Sequence, residues 1–479
     1  MNLLERLQLL SSKNITEHLH KLNFKDGKII IDYCGPNIAK HMHMGHLRTT
    51  ILGESLKRLI SYVGFDVVGD LHYGDLSTQM GCLLIGLKEK YKNTSDGLKY
   101  LKENPNEIFE IQKDVALRAK SNKSLDIKAR QEAIELQQLN GDYADIRNQI
   151  SLISLNHIDK MLQFLNVRNE QYYGESRYVH YIDEVIKMFS SKELIKHHKG
   201  DIVVPLRDTH LFLKGHDGYL AYSSIDMGTI YDRVFNQGAK KIIYVMGHRQ
   251  KLHWKQVFSS WEEYGLNVPL IHKSHGSVLE EREKPYKLDP YFGVTMESFL
   301  EDLVKFASTM TEKYFYTKHV EDFEKLSNFM ALTMLKISDF AQPAEEAYIF
   351  NTPKNTGVND YPGINTALQY SKIKKILENS QALKSDELEI EDQLQQDFAS
   401  LLLDFPSVIE KCVHELELYF LCRHLLKIVN FWEKYNLSEL RNSNLKLLEL
   451  SKDQVETIFH IFAINVPSNV GRDLKNVPL

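Results

Sequence analysis

The chain has 479 residues, 43% hydrophobic and 26% charged, with a formal net charge of −5. That composition excludes a wholly disordered or collagen-like chain, and no run reaches the roughly 18 to 20 consecutive apolar residues that a membrane span needs. A net acidic chain is not a general coat for nucleic acid, although a local basic patch can still meet one polyanion.

In chain order, MNLLERLQLLSS carries Glu5 and Arg6 inside an apolar pattern, so residues 1–27 read as a short amphipathic helical extension rather than a signal peptide. Lys28 to Tyr33 is a β-branched run broken by Gly35-Pro36-Asn37, a strand followed by a loop. Leu47, Ile51, Leu52, Leu56, Leu59, Ile60 and Val63 then recur at helical spacing, with Gly64 placed as the stop. A second strand, Phe65 to Leu71, and a loop, His72 to Leu76, complete a strand–helix–strand unit, which predicts a parallel crossover with ligands at the C-terminal strand ends. Residues from about 93 to 165 read as a charged helical insertion, 200–260 as strand-rich, 271–295 as a polar loop, and the rest from 296 as nearly all helix. Asn351 to Pro362 is a loop-rich break, and the last boundary is expected near 385. The expected domains are thus 28–300, a helical connection over 301–385 and a helical domain over 386–479. Cys34, Cys82, Cys412 and Cys422 show no paired spacing. Neither a disulfide framework nor a metal site of the protein's own is expected, and a cytoplasmic location follows.

His43-Met44-Gly45-His46 falls where the first loop enters its helix. Imidazoles can donate to phosphate oxygens there, the helix start adds unpaired N–H groups and a favourable dipole, and glycine admits a flat base close to the backbone. The pattern alone is weak, since two histidines are as often plain surface residues.

Gly35-Pro36-Asn37-Ile38-Ala39-Lys40, followed by HMHMGHLR, resembles the PNxAKxxHxGHLR signature of arginyl-tRNA synthetases, a class I family. His72 to Gly81 is similar to that family's HxGDWGTQFG, Gly174-Glu175-Ser176 to a further element, and Tyr222 to Asp226 to its YxxxD segment. Ile243-Tyr244-Val245 with Arg249, Gln250 and His253, then Lys284-Pro285-Tyr286-Lys287, resemble its later strand and a degenerate KMSK loop. Gln369-Tyr370 and Arg441 to Leu448 echo its anticodon-binding helices.

The resemblance implies an α/β fold: a class I Rossmann-type parallel-sheet catalytic domain with helical insertions, followed by an all-α anticodon-binding-type bundle. It implies ATP-dependent activation of arginine, with Mg2+ accompanying ATP, and transfer to tRNA. His43, Gly45 and His46 would bind ATP with Lys284 and Lys287. Lys40 would share the charge of the phosphates. Asp32, Asn37, His46, Tyr222, Asp226 and Gln250 would hold arginine.

The sequence also departs from the family pattern. Leu76 and Ser77 replace the Trp and Gly of GDWGTQ, and Leu288 follows Lys287. Asp339 to Glu346 stands where the family has the basic DLSKNR element, and Asn444 replaces an arginine. Only about 27 residues precede the first strand, where relatives carry a folded domain. The expectations are therefore a monomer with a weakened tRNA surface, a protein partner that could replace the missing domain and, as the alternative, a paralogue that activates or senses arginine for another acceptor.

Overall fold

The computed structural model describes residues 27–91, 93–137, 141–207, 209–216, 218–281, 284–285, 294–317, 319–350, 361–380, 390, 392–434 and 442–475. The expected N-terminal helix, most of the 351–362 break and the boundary near 385 lie outside them. The chain opens with β1 (Ile29–Asp32), α1 (Met44–Tyr62) and β2 (Val67–Tyr73). Gly64, at φ +97°, takes the left-handed turn after α1 that its sequence position predicts. The second strand starts two residues later than expected and runs on through His72 to Tyr73.

The insertion comprises α2 (Thr78–Lys90), α3 (Thr94–Glu103), α4 (Glu107–Ser121), α5 (Lys123–Glu135) and α6 (Asp142–Phe164). The chain then returns through β3 (Gln171–Gly174) and α7 (Tyr181–Ser190). Next come β4 (Lys196–His198), β5 (Asp201–Leu206) and β6 (Thr209–Lys214), which form an antiparallel sheet of their own. After these follow α8 (Tyr222–Tyr231), β7 (Lys241–Gly247), α9 (Lys251–Tyr264) and β8 (Leu270–His275).

The main sheet is parallel, in the order β3–β2–β1–β7–β8. The chain leaves β1 for β2 on one side and later returns to β7 on the other, so the crevice beyond β1 and β7 is a topological switch point. Alternation along the strands splits the core in two. Ile29, Ile31, Ile243 and Val245 face α1 and the later helices. Ile30, Ile242 and Tyr244 face Phe189, Trp254 and Trp261 on the opposite side.

The described part of 271–295 corrects the expected polar loop: residues 271–275 continue β8, and β9 (Val278–Glu281) and β10 (Lys284–Pro285) follow. The strand β8 bonds only to β7 in the main sheet, and an edge strand keeps its backbone paired on one side without an apolar run. The helical remainder is α10 (Met296–Tyr314), α11 (Val320–Phe340), α12 (Pro362–Asn379), α13 (Gln393–Leu403), α14 (Phe405–Glu415), α15 (Tyr419–Lys434) and α16 (Asn442–Ile461). It is interrupted by β11 (Tyr348–Ile349), which pairs with β9. One hydrophobic core runs from β1 and α1 through α10 and α11 into α15 and α16.

Gly81 on α2 is where that helix meets α5, and a Cβ there would overlap the carbonyl oxygen of Ala129. Gly81→Ala should cost about 1 to 3 kcal/mol, the range for overpacking a close helix contact. Urea unfolding followed by circular dichroism measures it, and an unchanged midpoint would show the contact to be loose.

Candidate active site

A cavity of about 580 Å3 lies over the ends of β1 and β7. Three sequence segments interlock beside it. Ile38 N donates to Gly74 O at 2.9 Å and Gly74 N to Pro36 O at 2.9 Å. Asp75 accepts from Ser176 N at 2.9 Å and Ser176 Oγ at 2.7 Å. Gly74 fits because a Cβ there would sit 2.6 Å from Asn37 Oδ1.

His43 and His46 line the cavity at the start of α1. Gly45 N donates to His43 Nδ1 at 3.1 Å, and His43 N donates to His46 Nδ1 at 3.1 Å. An Nδ1 that accepts leaves the ring proton on Nε2. Burial, then the charge of Lys40, pushes His43 down to about 4. Burial, followed by His43 and Lys40, also holds His46 well below the usual range. Both rings are therefore neutral at pH 7 and preoriented by the helix end. Gly45 lines the cavity between them; Lys40 acts on His43 through its charge but does not line it. The side chain of Lys284, on β10, and all of Lys287 lie outside the described residues.

Asp32, Asn37, Tyr222, Asp226 and Gln250 all line the same cavity. Asp32 Oδ2 takes a 2.6 Å bond from Arg233 Nη2, which also reaches Asp70 Oδ2 at 2.8 Å. Burial raises the pKa of Asp32, but the Arg233 charge together with the hydrogen bond and charge of His72 more than offsets it, so the carboxyl is held below its usual range. Its Oδ1 is buried with no hydrogen-bond partner, a free acceptor in the cavity wall. Asp226 Oδ2 lies 2.6 Å from His253 Nε2. Gln250 Oε1 accepts from Trp254 Nε1 at 3.3 Å. Tyr222 is exposed as a residue, and its hydroxyl is held above its ordinary pKa first by Glu175, then by burial of the hydroxyl end and by Asp226.

The residue that sequence reasoning passed over is Glu175. In sequence it is only the middle of a matching tripeptide, yet it lines the cavity and is buried. Its burial depends on β3 pairing with β2, which no local pattern reveals. A cavity with neutral imidazole donors at a helix start, and a separate group of carboxyls, can hold a polyanion and a cation together.

The family model described as tRNA synthetases class I (R), catalytic domain, matches residues 7–352. The chain belongs to this family. Among curated relatives, the arginine–tRNA ligase of Agathobacter rectalis is 27% identical, over 92% of this chain and 81% of that protein. The arginine–tRNA ligase of Fusobacterium nucleatum is 26% identical, over 94% and 79%. The fold is that of solved arginyl-tRNA synthetases. The one from Plasmodium falciparum superposes with a TM-score of 0.75 at 22% identity, over 95% of this chain and 82% of that one. The one from Thermus thermophilus gives 0.75 at 17% identity, over 95% and 86%. Arginine and tRNA are the ligands that membership in this family implies, and ATP and Mg2+ its co-reactants.

Burial pushes Glu175 up to about 8; Asp75 and Asp226 add to this, and His72 offsets it in part. Glu175 is therefore largely protonated at pH 7. A guanidinium beside it needs the ionised form, so binding should release a proton. Arginine affinity should rise up to tenfold per pH unit as pH approaches about 8, then level off. Calorimetry across pH 6 to 9 reads this directly; Glu175→Gln should flatten the slope, and a parent profile already flat would remove Glu175 from the site.

Proposed function

We propose that the protein is an arginine–tRNA ligase, which joins arginine to ATP as arginyl-adenylate, releases pyrophosphate and transfers the arginyl group to tRNA. The observation that carries this reading is the pairing, in one cavity, of neutral histidine donors at a helix start with Asp32, Glu175 and Asp226. In this reading the arginine carboxylate attacks the α-phosphate of ATP in line. The protein contributes position and fixed donors rather than a covalent intermediate. His43 and His46 bind phosphate oxygens, aided by the α1 dipole, and Gly45 lies under the adenine. Lys40, Lys284 and Lys287 neutralise the leaving pyrophosphate. Asp226, Glu175 and the free Oδ1 of Asp32 meet the cationic ends of arginine, with Asn37, Tyr222 and Gln250 completing the pocket.

The donors around His43 are imidazole nitrogen and backbone N–H, which suit phosphate oxygen and not a hard cation. Magnesium would enter on the nucleotide, where it spreads the phosphate charge. In the same proposal the helices beyond α12 form an anticodon-binding-type region. No helix among the described residues is long and apolar enough to cross a membrane. Work in the cytoplasm, with or without a partner chain on the RNA side, is part of this reading.

Arginine-dependent ATP–pyrophosphate exchange, with total tRNA present, is the test. His43→Ala should slow exchange by about 10²-fold, the scale for one preorganised donor. A rate within twofold of the parent would take the histidine pair out of the mechanism. Asp226→Asn keeps the shape and removes the charge. It should cost about 2 to 5 kcal/mol of preference for arginine over its neutral isostere citrulline. Unchanged arginine affinity by calorimetry would make Asp226 a structural partner of His253 only.

A further inference from the structure

A second group of ligand-bearing side chains lies beside the site but outside its cavity. His41 is on the loop between β1 and α1, His157 is on α6, and Glu297 is in the first turn of α10. The backbone brings them together. Met296 N donates to Met42 O at 2.8 Å, and His43 forms an isolated bridge with Thr295. His41 stacks on Phe109 with ring centroids 3.9 Å apart, and Phe109 meets the His157 ring edge-on at 5.0 Å.

We propose that His41, His157 and Glu297 form a binding site for one divalent transition-metal ion, zinc by preference. One imidazole nitrogen from each histidine and one Glu297 oxygen all lie within 4.8 Å of one another. His157 is 8% exposed, and its Nε2 is buried without a hydrogen-bond partner. The Glu297 oxygen is 3.4 Å from that nitrogen. Ligand atoms around tetrahedral zinc, with bonds of roughly 2.0 to 2.2 Å, stand about 3.3 to 3.6 Å apart. The His157–Glu297 pair already has that spacing, and a modest rotamer change closes the third position. Two imidazoles and one carboxylate are the donor set of open zinc sites, which leave a coordination position for water. Magnesium and calcium prefer all-oxygen shells, so the Mg2+ that accompanies ATP would not compete.

A bound ion would fasten three elements: the loop that leads into His43, the last helix of the insertion, and the helix that follows residues 282–293. It would therefore stabilise the corner that carries the histidine motif.

The test uses the full chain, dialysed free of metal, without ATP. Co2+ serves as the spectroscopic probe and Zn2+ as its competitor. The expected result is one ion per chain, with visible Co2+ bands that Zn2+ displaces and a higher unfolding temperature with Zn2+. Glu297→Gln is isosteric and partly exposed, so it should fold. Both it and His157→Ala should weaken binding at least about tenfold. His198→Ala, on the exposed strand β4, should leave binding unchanged. Parent chain without one-to-one binding at micromolar Co2+ overturns the proposal. So does binding that persists unaltered in both Glu297→Gln and His157→Ala.

Discussion

The buried guanidinium of Arg233 is the interaction on which the site depends. Asp32 ends the central strand β1, and Asp70 lies beside it on β2; both are fully desolvated. Two adjacent carboxylates without a counter-charge would repel each other and lose their hydration. Arg233 reaches both, from the turn that follows α8. The same turn fixes the helix that carries Tyr222 and Asp226 against the strand that carries Asp32. One cation thereby decides where the cavity's carboxyls stand. Arg233 and His72 together hold Asp32 below the usual carboxylate range against its burial, whereas at Asp70 burial outweighs the same guanidinium and the direction is upward.

Other buried charges tie the sheet to the helical region. Arg48 of α1 pairs with Asp339 at 3.1 Å and donates to the carbonyls of Gly276 and Glu346 at 2.9 and 2.6 Å. Asp339 begins the segment that stands where the family pattern has its basic element; it is 2% exposed and pairs with Arg48 of α1. Lys336, fully buried, donates to the carbonyls of Leu165 and Ala463 at 2.6 and 2.9 Å. The insertion, the sheet and the last helices are thus joined by buried hydrogen-bonded side chains as well as by packing.

Much of this was legible in the sequence because local signals agree with the fold. The β-branched run before Gly35, the helical spacing after His43 and the glycine at 64 each report a constraint that a few residues satisfy by themselves. The motif residues were legible as a set because their chemistry requires specific side chains in a fixed order. What stayed hidden depends on distant pairing. β8 has no apolar run because it lies at an edge. Glu175 is buried only once β3 joins β2. Arg233 looks like any surface arginine on a helix until Asp32 and Asp70 are brought beneath it. His253 could be matched to a motif, but its bond to Asp226 could not be read.

The helix α1 has 19 residues and so spans about 28 Å. Its first turn holds His43 and His46. Toward its far end, Arg58 donates to the carbonyls of Asn166 and His460, at 2.9 and 3.2 Å. A packed helix moves as a rod, not as a spring. A tilt of about 3° pivoted at Arg58, roughly 20 Å away, would carry the histidines about 1 Å, a displacement that can change a positioned reaction by about 10²-fold. Whatever docks on the C-terminal helices and shifts α16 by a fraction of its width holds the short arm of a lever whose long end is the chemistry.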